Sequence, residues 1–224
     1  MTIRSPTLLI ELHHEGPVSK TRVLQGLAAW YMILWALLAI SPTDRHDWLL
    51  ENLLALAAVI VLLVFRRQFE FSTLSYILLT GFLTLHAIGA HYTYAEVPFG
   101  HWLRHTFDLT RNPFDRLVHF SYGLLLAYPL REILVRLAGV RGFWSYYLPV
   151  SGMVAQSGFF ELIEAVVAHI VNPELGSAYL GTQGDEWDAQ KDMGSALAGA
   201  LITMVAVSFG ERYQWLSGTG QRGK

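Results

Sequence analysis

Six long apolar stretches constrain the fold of this chain more than any other feature. They cover residues 23–40, 48–65, 71–90, 117–135, 143–170 and 194–209, and each approaches or exceeds the roughly 20 residues that an α-helix needs to cross a bilayer. Only 15% of the 224 residues are charged and the mean hydropathy is +0.35, whereas soluble domains average about 25% charged residues. We therefore predict an all-α fold: a polytopic membrane helix bundle with six transmembrane helices.

The polar ends of the chain define the remaining segments. The first 22 residues are charged and histidine-containing, and no small-residue cleavage site follows a short apolar core. We therefore expect the first apolar stretch to stay as an anchor rather than to be removed as a signal peptide. The predicted organisation is a cytoplasmic N-terminal segment (1–22), a six-span membrane domain (23–210) and a cytoplasmic C-terminal tail (211–224).

The distribution of Lys and Arg predicts the orientation. Cytoplasmic loops of membrane proteins carry an excess of these residues. With the N-terminus in the cytoplasm, most of the 16 basic residues lie on the cytoplasmic side, and the exceptions are Arg45, Arg104, Arg111, Arg116 and Lys191. We therefore expect both termini in the cytoplasm, and the loops at 90–116 and 171–191 together on the outer face.

Net charge and cysteine content exclude several classes of function. The formal net charge is -2, which gives no basis for nucleic-acid binding. We therefore expect no nucleic-acid partner. The predicted transmembrane helices make membrane lipids the expected partners. The chain has 0 cysteines. Disulfides, thiolate metal sites and cysteine nucleophiles are therefore excluded.

Two carboxylates lie within the fifth apolar stretch, in the sequence SGFFELIEAVVAH. Glu161 and Glu164 are three residues apart and so share a helix face. A carboxylate inside a span costs about 2.5–3.5 kcal/mol on insertion scales, so it normally faces protein or water and has a partner. We expect these acids to line a polar site; the alternative is that they pair with an arginine or lie at the interface.

A carboxylate and an imidazole stand four residues apart in NPFDRLVHFSYGLL. Asp115 and His119 would share one helix face, where the carboxylate can orient the imidazole or both can reach one metal ion. The alternative is that Asp115 only caps the helix that starts after Pro113, since a first-turn acid suits the helix dipole. Arg116 could bind a lipid phosphate or pair with a buried acid.

The sequence HAIGAHYTYAEVPFG closes the third stretch. Its aromatic residues are typical of an interfacial belt, and Glu96 lies among them in the loop. His86 lies deeper, where it is either a metal ligand or a hydrogen-bonded core residue. We expect His101 and His105 to lie on a solvated loop surface.

Three aspartates precede the last apolar stretch, in GDEWDAQKDMGSALAGA. If a helix runs back through Asp185, Asp188 and Asp192, their carboxylates share one face. Such a row suits a hard cation such as magnesium, calcium or manganese, and added histidines would admit zinc or iron. Alternatively Asp192 caps the last helix, and the other two are solvated charges with Lys191 as a partner.

The spacing of this row resembles the first aspartate motif of UbiA-type membrane prenyltransferases, in which acids hold magnesium against an isoprenoid diphosphate. Gly184 stands where that motif has asparagine, and the chain has no second full motif. Six spans also fall short of that family's larger bundle.

Taken in order, HAIGAHYTYAEVPFG, NPFDRLVHFSYGLLLAYPLRE, FFELIEA and GDEWDAQKDMGSALAGA resemble the YjdF-type family of bacterial inner-membrane proteins. The resemblance begins near Leu53 and covers most of the chain. It implies a six-span, multi-pass protein of the bacterial cytoplasmic membrane, and it implies no particular reaction.

A more distant resemblance is to the VanZ-like pattern of a His-Phe at the start of a span, an acid in the next span and an aspartate before a Gly/Ala helix. Here these are His119-Phe120, Glu161 or Glu164, and Asp188 or Asp192. The chain lacks the glutamine and asparagine typical of that pattern, so the resemblance implies a shared fold more than a shared role.

The leading hypothesis for function is an outward-facing acidic and histidine site that binds a divalent cation and acts on a lipid or envelope intermediate. Its expected catalytic residues are His119 and Glu161, and its expected metal ligands are His86, Glu96, Asp115, Glu164, Asp185, Asp188 and Asp192. The alternatives are an ion- or proton-coupled transporter that uses the intramembrane carboxylates, and a structural membrane protein whose acids only pair with arginines.

Overall fold

The computed structural model describes residues 17–171 and 182–216. Within these residues the chain forms seven α-helices and no strand, which confirms the all-α prediction: α1 Pro17–Leu38, α2 Arg45–Phe65, α3 Thr73–His91, α4 Pro98–Thr106, α5 Phe114–Arg136, α6 Trp144–Ile170 and α7 Asp188–Leu216. Most of the predicted N-terminal segment, half of the loop at 171–191 and most of the C-terminal tail lie outside the described residues.

Each predicted span corresponds to one long helix, and several helices begin before the apolar stretch does. Side-chain caps explain where two of the helices start. Asp44 accepts from the backbone N–H groups of His46 and Asp47 at the start of α2, and Ser72 accepts from the N–H of Ser75 at the start of α3. The loop predicted at 90–116 contains the short helix α4, which starts at Pro98, a residue suited to the first helical position.

Five of the described helices are long and apolar enough to cross a membrane, namely α1, α2, α3, α6 and α7. Helix α5 has 23 residues, which is sufficient length, but it carries Asp115, Arg116, Arg131, Glu132 and Arg136 near its two ends. Its middle turns are uncharged. The apolar surface of the bundle is therefore supplied mainly by the other helices.

Helix α5 lies at the centre of the bundle. It packs against α3, α6 and α7, while α6 also packs on α7, and α1 and α2 pack on α3. His119 near the start of α5 contacts Ser157 at the middle of α6, whereas Arg131 near the end of α5 contacts Ser145 at the start of α6. Helices α5 and α6 are therefore antiparallel. The end of the bundle that holds His119 is called the cluster end below.

Glycines let α5 and α7 approach closely. A Cβ atom on Gly123 would collide with the backbone oxygen of Ala196, and one on Gly199 would collide with the backbone of Phe120. The Thr203 hydroxyl donates to the Leu124 carbonyl at 2.5 Å across the same interface. Small residues at such spacing are how membrane helices pack closely. This contact sets α7 in register with α5, with Asp192 one turn before Ala196.

The opposite end of the bundle is closed by paired charges. Arg131 donates to Glu211 at 2.8 Å, and Tyr146 donates to the same carboxylate. Glu132, which is 1% exposed, accepts from Ser72 and Ser75 and pairs with Arg136. Buried charges at this end therefore have partners, as buried ions require.

Candidate functional site

Three potential metal ligands converge at the cluster end. One ligand atom each from Asp115, His119 and Asp192 lie within 4.8 Å of one another. Asp115 and His119 come from adjacent turns of α5, and Asp192 comes from the first turns of α7. Their proximity follows from the close contact of these two helices through Gly123 and Gly199.

His119 lies between three groups. Its Nε2 atom is 3.7 Å from Asp115 Oδ1 and 3.6 Å from Glu161 Oε1, and its Nδ1 atom is 3.3 Å from the Ser157 hydroxyl. The two Nε2 distances exceed those of a normal hydrogen bond. The imidazole and both carboxylates therefore point at a shared space without bonding directly to one another.

Several carboxylate oxygens at this end have no hydrogen-bond partner within the described part of the chain. They are Asp47 Oδ1, Glu51 Oε2, Glu161 Oε1 and Asp192 Oδ1. Asp192 is 2% exposed and Glu51 is 4% exposed. A buried acceptor left unsatisfied costs about 1–3 kcal/mol, and more when it is charged. These groups therefore require either protons or a cation to be stable where they lie.

Basic side chains satisfy only the outer part of the cluster. Arg111 is 5% exposed and pairs with Asp188, and it lies 3.6 Å from Asp115. Arg116 pairs with Asp185 and lies 3.3 Å from Asp188. Neither arginine forms an ion pair with Glu161 or Asp192 among the described residues, so these two acids are not neutralised in this way.

Lys191 completes the outer part of the cluster with a 2.6 Å ion pair to Asp185. The hydrogen bond from Lys191, together with those from the Trp187 N–H and from Arg116, holds the pKa of Asp185 below its usual range. Asp185 is therefore an ionised, fully partnered carboxylate.

The segment that carries the first aspartates is fixed to the start of α5. The Asn112 N–H donates to Gln183 Oε1 at 2.9 Å, and the Gln183 amide donates back to the Asn112 carbonyl at 3.2 Å. Arg111 donates to the Thr182 carbonyl at 3.1 Å. The Asn112 side chain in turn donates to the Ala95 carbonyl at 2.8 Å. These bonds hold α7 and the loop before α4 around the cluster.

His86 forms two hydrogen bonds. Its Nε2 lies 3.2 Å from the Glu51 carbonyl oxygen, which can only accept, so this nitrogen carries the hydrogen. Its Nδ1 therefore accepts from the Tyr94 hydroxyl, at 2.6 Å. Burial and the nearby charges of Glu51 and Asp115 raise the pKa of Tyr94 well above its ordinary value, which keeps the phenol a donor. His86 thus joins α2, α3 and the following loop as a neutral imidazole.

A cavity of about 260 Å³ adjoins the cluster. Its polar end is formed by Asp47, Glu51, Asp115, His119 and Glu164. Glu164 lies close enough to Glu51, Asp115 and Glu161 for their charges to repel. The rest of the cavity is lined mainly by apolar side chains of α2, α3, α5 and α6. The cavity therefore lies directly beside Asp115 and His119.

The structure brings together some of the residues predicted from sequence and not others. Asp115, His119, Glu161, Glu164 and Asp192 share the inner cluster, and Asp188 joins it through Arg111. Glu96 instead pairs with His101 at 3.1 Å on the exposed surface, and Asp185 lies in the outer part. His86 contacts the cluster only through hydrogen bonds.

The aspartate row does not form one continuous helical face. Helix α7 begins at Asp188, so the helix does not run back through Asp185. Gln183 and Gly184 adopt positive φ angles of 48° and 84°, which break the helix before it. The Asp185 carboxylate accepts from the Trp187 N–H at 3.1 Å and so caps the turn that leads into α7.

Two acids of the site were not predicted. Asp47 and Glu51, at 1% and 4% exposure, lie on the first turns of α2. The sequence contains a pattern that predicts them. Two carboxylates four residues apart at the start of an apolar helix share a face, as Glu161 and Glu164 do. Tyr94, read as part of an aromatic belt, instead supplies its hydroxyl to His86.

The fold and the cluster define a class of protein: an all-helical integral membrane protein whose carboxylates and histidines gather at one end of the bundle. Residues 23–212 match the family described as "Predicted membrane protein (DUF2238)", and the chain belongs to this family. It is similar to the inner membrane protein YjdF of Escherichia coli (strain K12), with 37% identity over 187 residues that cover 83% of this chain and 89% of the relative.

These matches confirm the YjdF-type resemblance and the predicted inner-membrane location. No solved structure matches the chain. The VanZ-like resemblance therefore stays a prediction.

Proposed function

We propose that the cluster binds a divalent cation and that the protein acts on a membrane-soluble substrate held in the adjoining cavity. The proposed ligands are Asp115, His119 and Asp192, with Glu161 beside them. The observation that carries the proposal is the convergence of three ligand atoms within 4.8 Å around buried oxygens that lack a partner in the described chain.

The balance of charge supports a cation at this place. The acids that share the cluster end are Asp47, Glu51, Asp115, Glu161, Glu164, Asp188 and Asp192, and the arginines that reach it are Arg111 and Arg116. Like charges in a poorly solvated site repel strongly. A divalent cation would offset part of this repulsion and would satisfy Asp192 Oδ1.

The donor set also indicates which ions fit. Carboxylate oxygens with one imidazole and no thiolate suit manganese or magnesium, and the histidine also admits zinc or iron. Such an ion polarises a phosphoryl or ester oxygen. Glu161 would then serve as the base, since its carboxylate faces the shared space beside the ligand His119 and forms no ion pair with an arginine among the described residues.

We also propose the predicted topology of six spans with both termini in the cytoplasm, which places the cluster on the outer side. In this topology α5 is a span in addition to the five most apolar helices. Its charges lie near its two ends, at Asp115 and Arg116 and again from Arg131 onward, which is compatible with a crossing. The antiparallel arrangement of α5 and α6 agrees with alternate crossings.

The metal content of the purified protein tests the cation site. We expect about one divalent ion per wild-type chain and a loss of about tenfold or more in Asp192→Asn and His119→Gln. Glu96→Gln is the matched control, because this acid lies on the same side of the bundle but pairs with His101 outside the cluster. Its metal content should equal that of wild type.

Thermal unfolding separates loss of metal from loss of fold. Removing one buried acid from the crowded cluster relieves repulsion, so metal-free Asp192→Asn should unfold at a higher temperature than metal-free wild type. Equal, near-zero metal in wild type and Asp192→Asn would overturn the cation site. That result would instead favour the hypothesis of a proton-coupled transporter, in which protons occupy the carboxylates.

A further inference from the structure

The cavity beside the cluster has a polar end and an apolar body. Asp47 and Glu51 of α2, Asp115 of α5 and Glu164 of α6 form the polar end. Away from these acids the lining is mainly apolar, with Ala55, Ala58, Phe82 and Phe160 among its members, and it also includes the polar side chains of Tyr122, Gln156 and Ser157. The distance along α2 from Glu51 to Ala58 is about 10 Å at the rise of an α-helix. A molecule that fills this space needs a polar group joined to an apolar segment.

The cavity opens sideways between α2 and α6. Both helices contribute lining residues, as do α3 and α5. Helix α2 packs on α3, and α6 packs on α5 and α7, but α2 and α6 are not among the extensively packed pairs of described helices. The exposed residues of the lining, Ala58, Gln156 and Phe159, come from these two helices. The opening therefore faces the apolar surface of the bundle, where lipid lies.

The polar end favours a positively charged group. None of the described residues that line the cavity is a lysine or an arginine. Asp47, Glu51 and Glu164 form no ion pair with any described residue, and both Asp47 Oδ1 and Glu51 Oε2 are buried without a hydrogen-bond partner there. An ammonium group supplies up to three N–H donors and a charge that complements these acids. Tyr94 also lines this space, and an aromatic ring face can contact a cation.

We propose that this cavity is the binding site for an amine-headed amphiphile, which enters from the bilayer between α2 and α6. Its ammonium group lies among Asp47, Glu51 and Glu164, and its apolar segment extends along Ala55 and Phe82. The proposal rests on the proposed function and names its substrate class; its ammonium contacts Asp47, Glu51 and Glu164 are not cation ligands, although the ligands Asp115 and His119 border the same cavity. Asp192, which belongs to the cation site, does not line the cavity.

Photo-crosslinking in lipid nanodiscs tests the proposal. The probes are three dodecyl compounds that carry the same mid-chain diazirine and differ in the head: a primary amine, an alcohol and a phosphate monoester. Mass spectrometry measures labelling of the cavity lining at Phe160 and Ile163 relative to the exposed α7 positions Ile202 and Val205. This ratio corrects for the different partitioning of each probe into the bilayer.

We expect the cavity-to-surface ratio to be highest for the amine and to fall about tenfold in Glu51→Gln and Glu164→Gln, because each loses a charge-assisted contact. Ala58→Phe should lower the ratio for all three probes by filling the lateral opening. The exposed surface acid variant Glu96→Gln should match wild type. All variants are first checked for an unchanged helical circular-dichroism spectrum.

Three outcomes would overturn the proposal: equal ratios for the three heads, a ratio highest for the phosphate ester, or an amine ratio unchanged in both Glu51→Gln and Glu164→Gln. The Asp192→Asn variant separates the two sites. If amine labelling persists there while metal is lost, both assignments stand. If wild type holds no metal yet is labelled by the amine, only the cation site fails.

Discussion

Asp185 and Asp192 lie in the same short segment but have opposite environments. Asp185 accepts from Lys191 and pairs with Arg116, and its pKa is held below the usual range. Asp192 is 2% exposed, faces other acids and keeps one oxygen without a partner among the described residues. The first carboxylate contributes to the fold by its ion pairs. The second is held in place by packing and is available to a ligand.

The ion pairs of Asp185 predict a pH-dependent stability. A folded-state pKa below the unfolded value of about 3.9 means that the carboxylate stabilises the fold above that value, and that this contribution is lost as the pH falls through the folded-state pKa. Asp185→Asn should therefore lower the unfolding temperature of the detergent-solubilised protein near pH 7, and the difference from wild type should shrink toward about pH 3.

Glu186→Gln is the control for this measurement, since Glu186 is the exposed neighbouring acid. It should unfold like wild type at both pH values. If the difference in unfolding temperature between Asp185→Asn and wild type stays constant across this pH range, the carboxylate charge of Asp185 does not stabilise the fold. A constant difference would instead indicate that Asp185 acts only as a turn cap, a role that does not depend on its charge.

At the scale of elements, the α5–α7 interface determines the geometry of the cluster. Ala127, Ala196 and Ala200 are all 0% exposed at this interface. Gly123 and Gly199 bring the two backbones close enough to leave no room for a Cβ atom on either. Because His119 lies one turn before Gly123, and Asp192 one turn before Ala196, the separation of the ligands depends on the separation of these helices.

Gly199→Leu should therefore disrupt both the packing and the site. Overpacking of this kind costs about 1–3 kcal/mol, and we expect a lower unfolding temperature together with loss of bound metal. Gly194→Leu is the matched control, because a Cβ at Gly194 meets nothing within 4 Å. Normal metal content in a folded Gly199→Leu variant would show that close packing of α5 and α7 does not position the ligands.

At the scale of the whole molecule, the two ends of the bundle differ in how their buried charges are satisfied. At the opposite end, Arg131 pairs with Glu211 and Arg136 pairs with Glu132. At the cluster end, acids outnumber the arginines that reach them. Unpaired acids at one end and paired charges at the other are the arrangement expected if the proposed site is entered from one side or from the bilayer.

The proposed topology predicts that residues flanking α5 lie on opposite sides of the membrane. Because the chain has 0 cysteines, single cysteines report their location without interference. A membrane-impermeant maleimide added to intact cells should label Glu96→Cys and should not label Ala138→Cys until the membrane is permeabilised. Labelling of both positions in intact cells would show that α5 does not cross.

The sequence predicted the helices and the face that several site residues share. The length and composition of the six apolar stretches determined the helices, because a backbone in lipid must satisfy its hydrogen bonds within each segment. Spacings of three or four residues paired Asp115 with His119 and Glu161 with Glu164, since local geometry alone sets these faces.

Only the tertiary structure decided which of these acids are free to bind. Asp185 and Asp188 are paired with arginines distant in sequence, whereas Asp192 forms no such pair with any described residue, although all three look alike in the sequence. The acids of α2 joined the site because α2 packs on α3 beside His86. The physical reason is that spacing fixes directions around one helix axis, while partners and burial depend on how separate helices pack against one another.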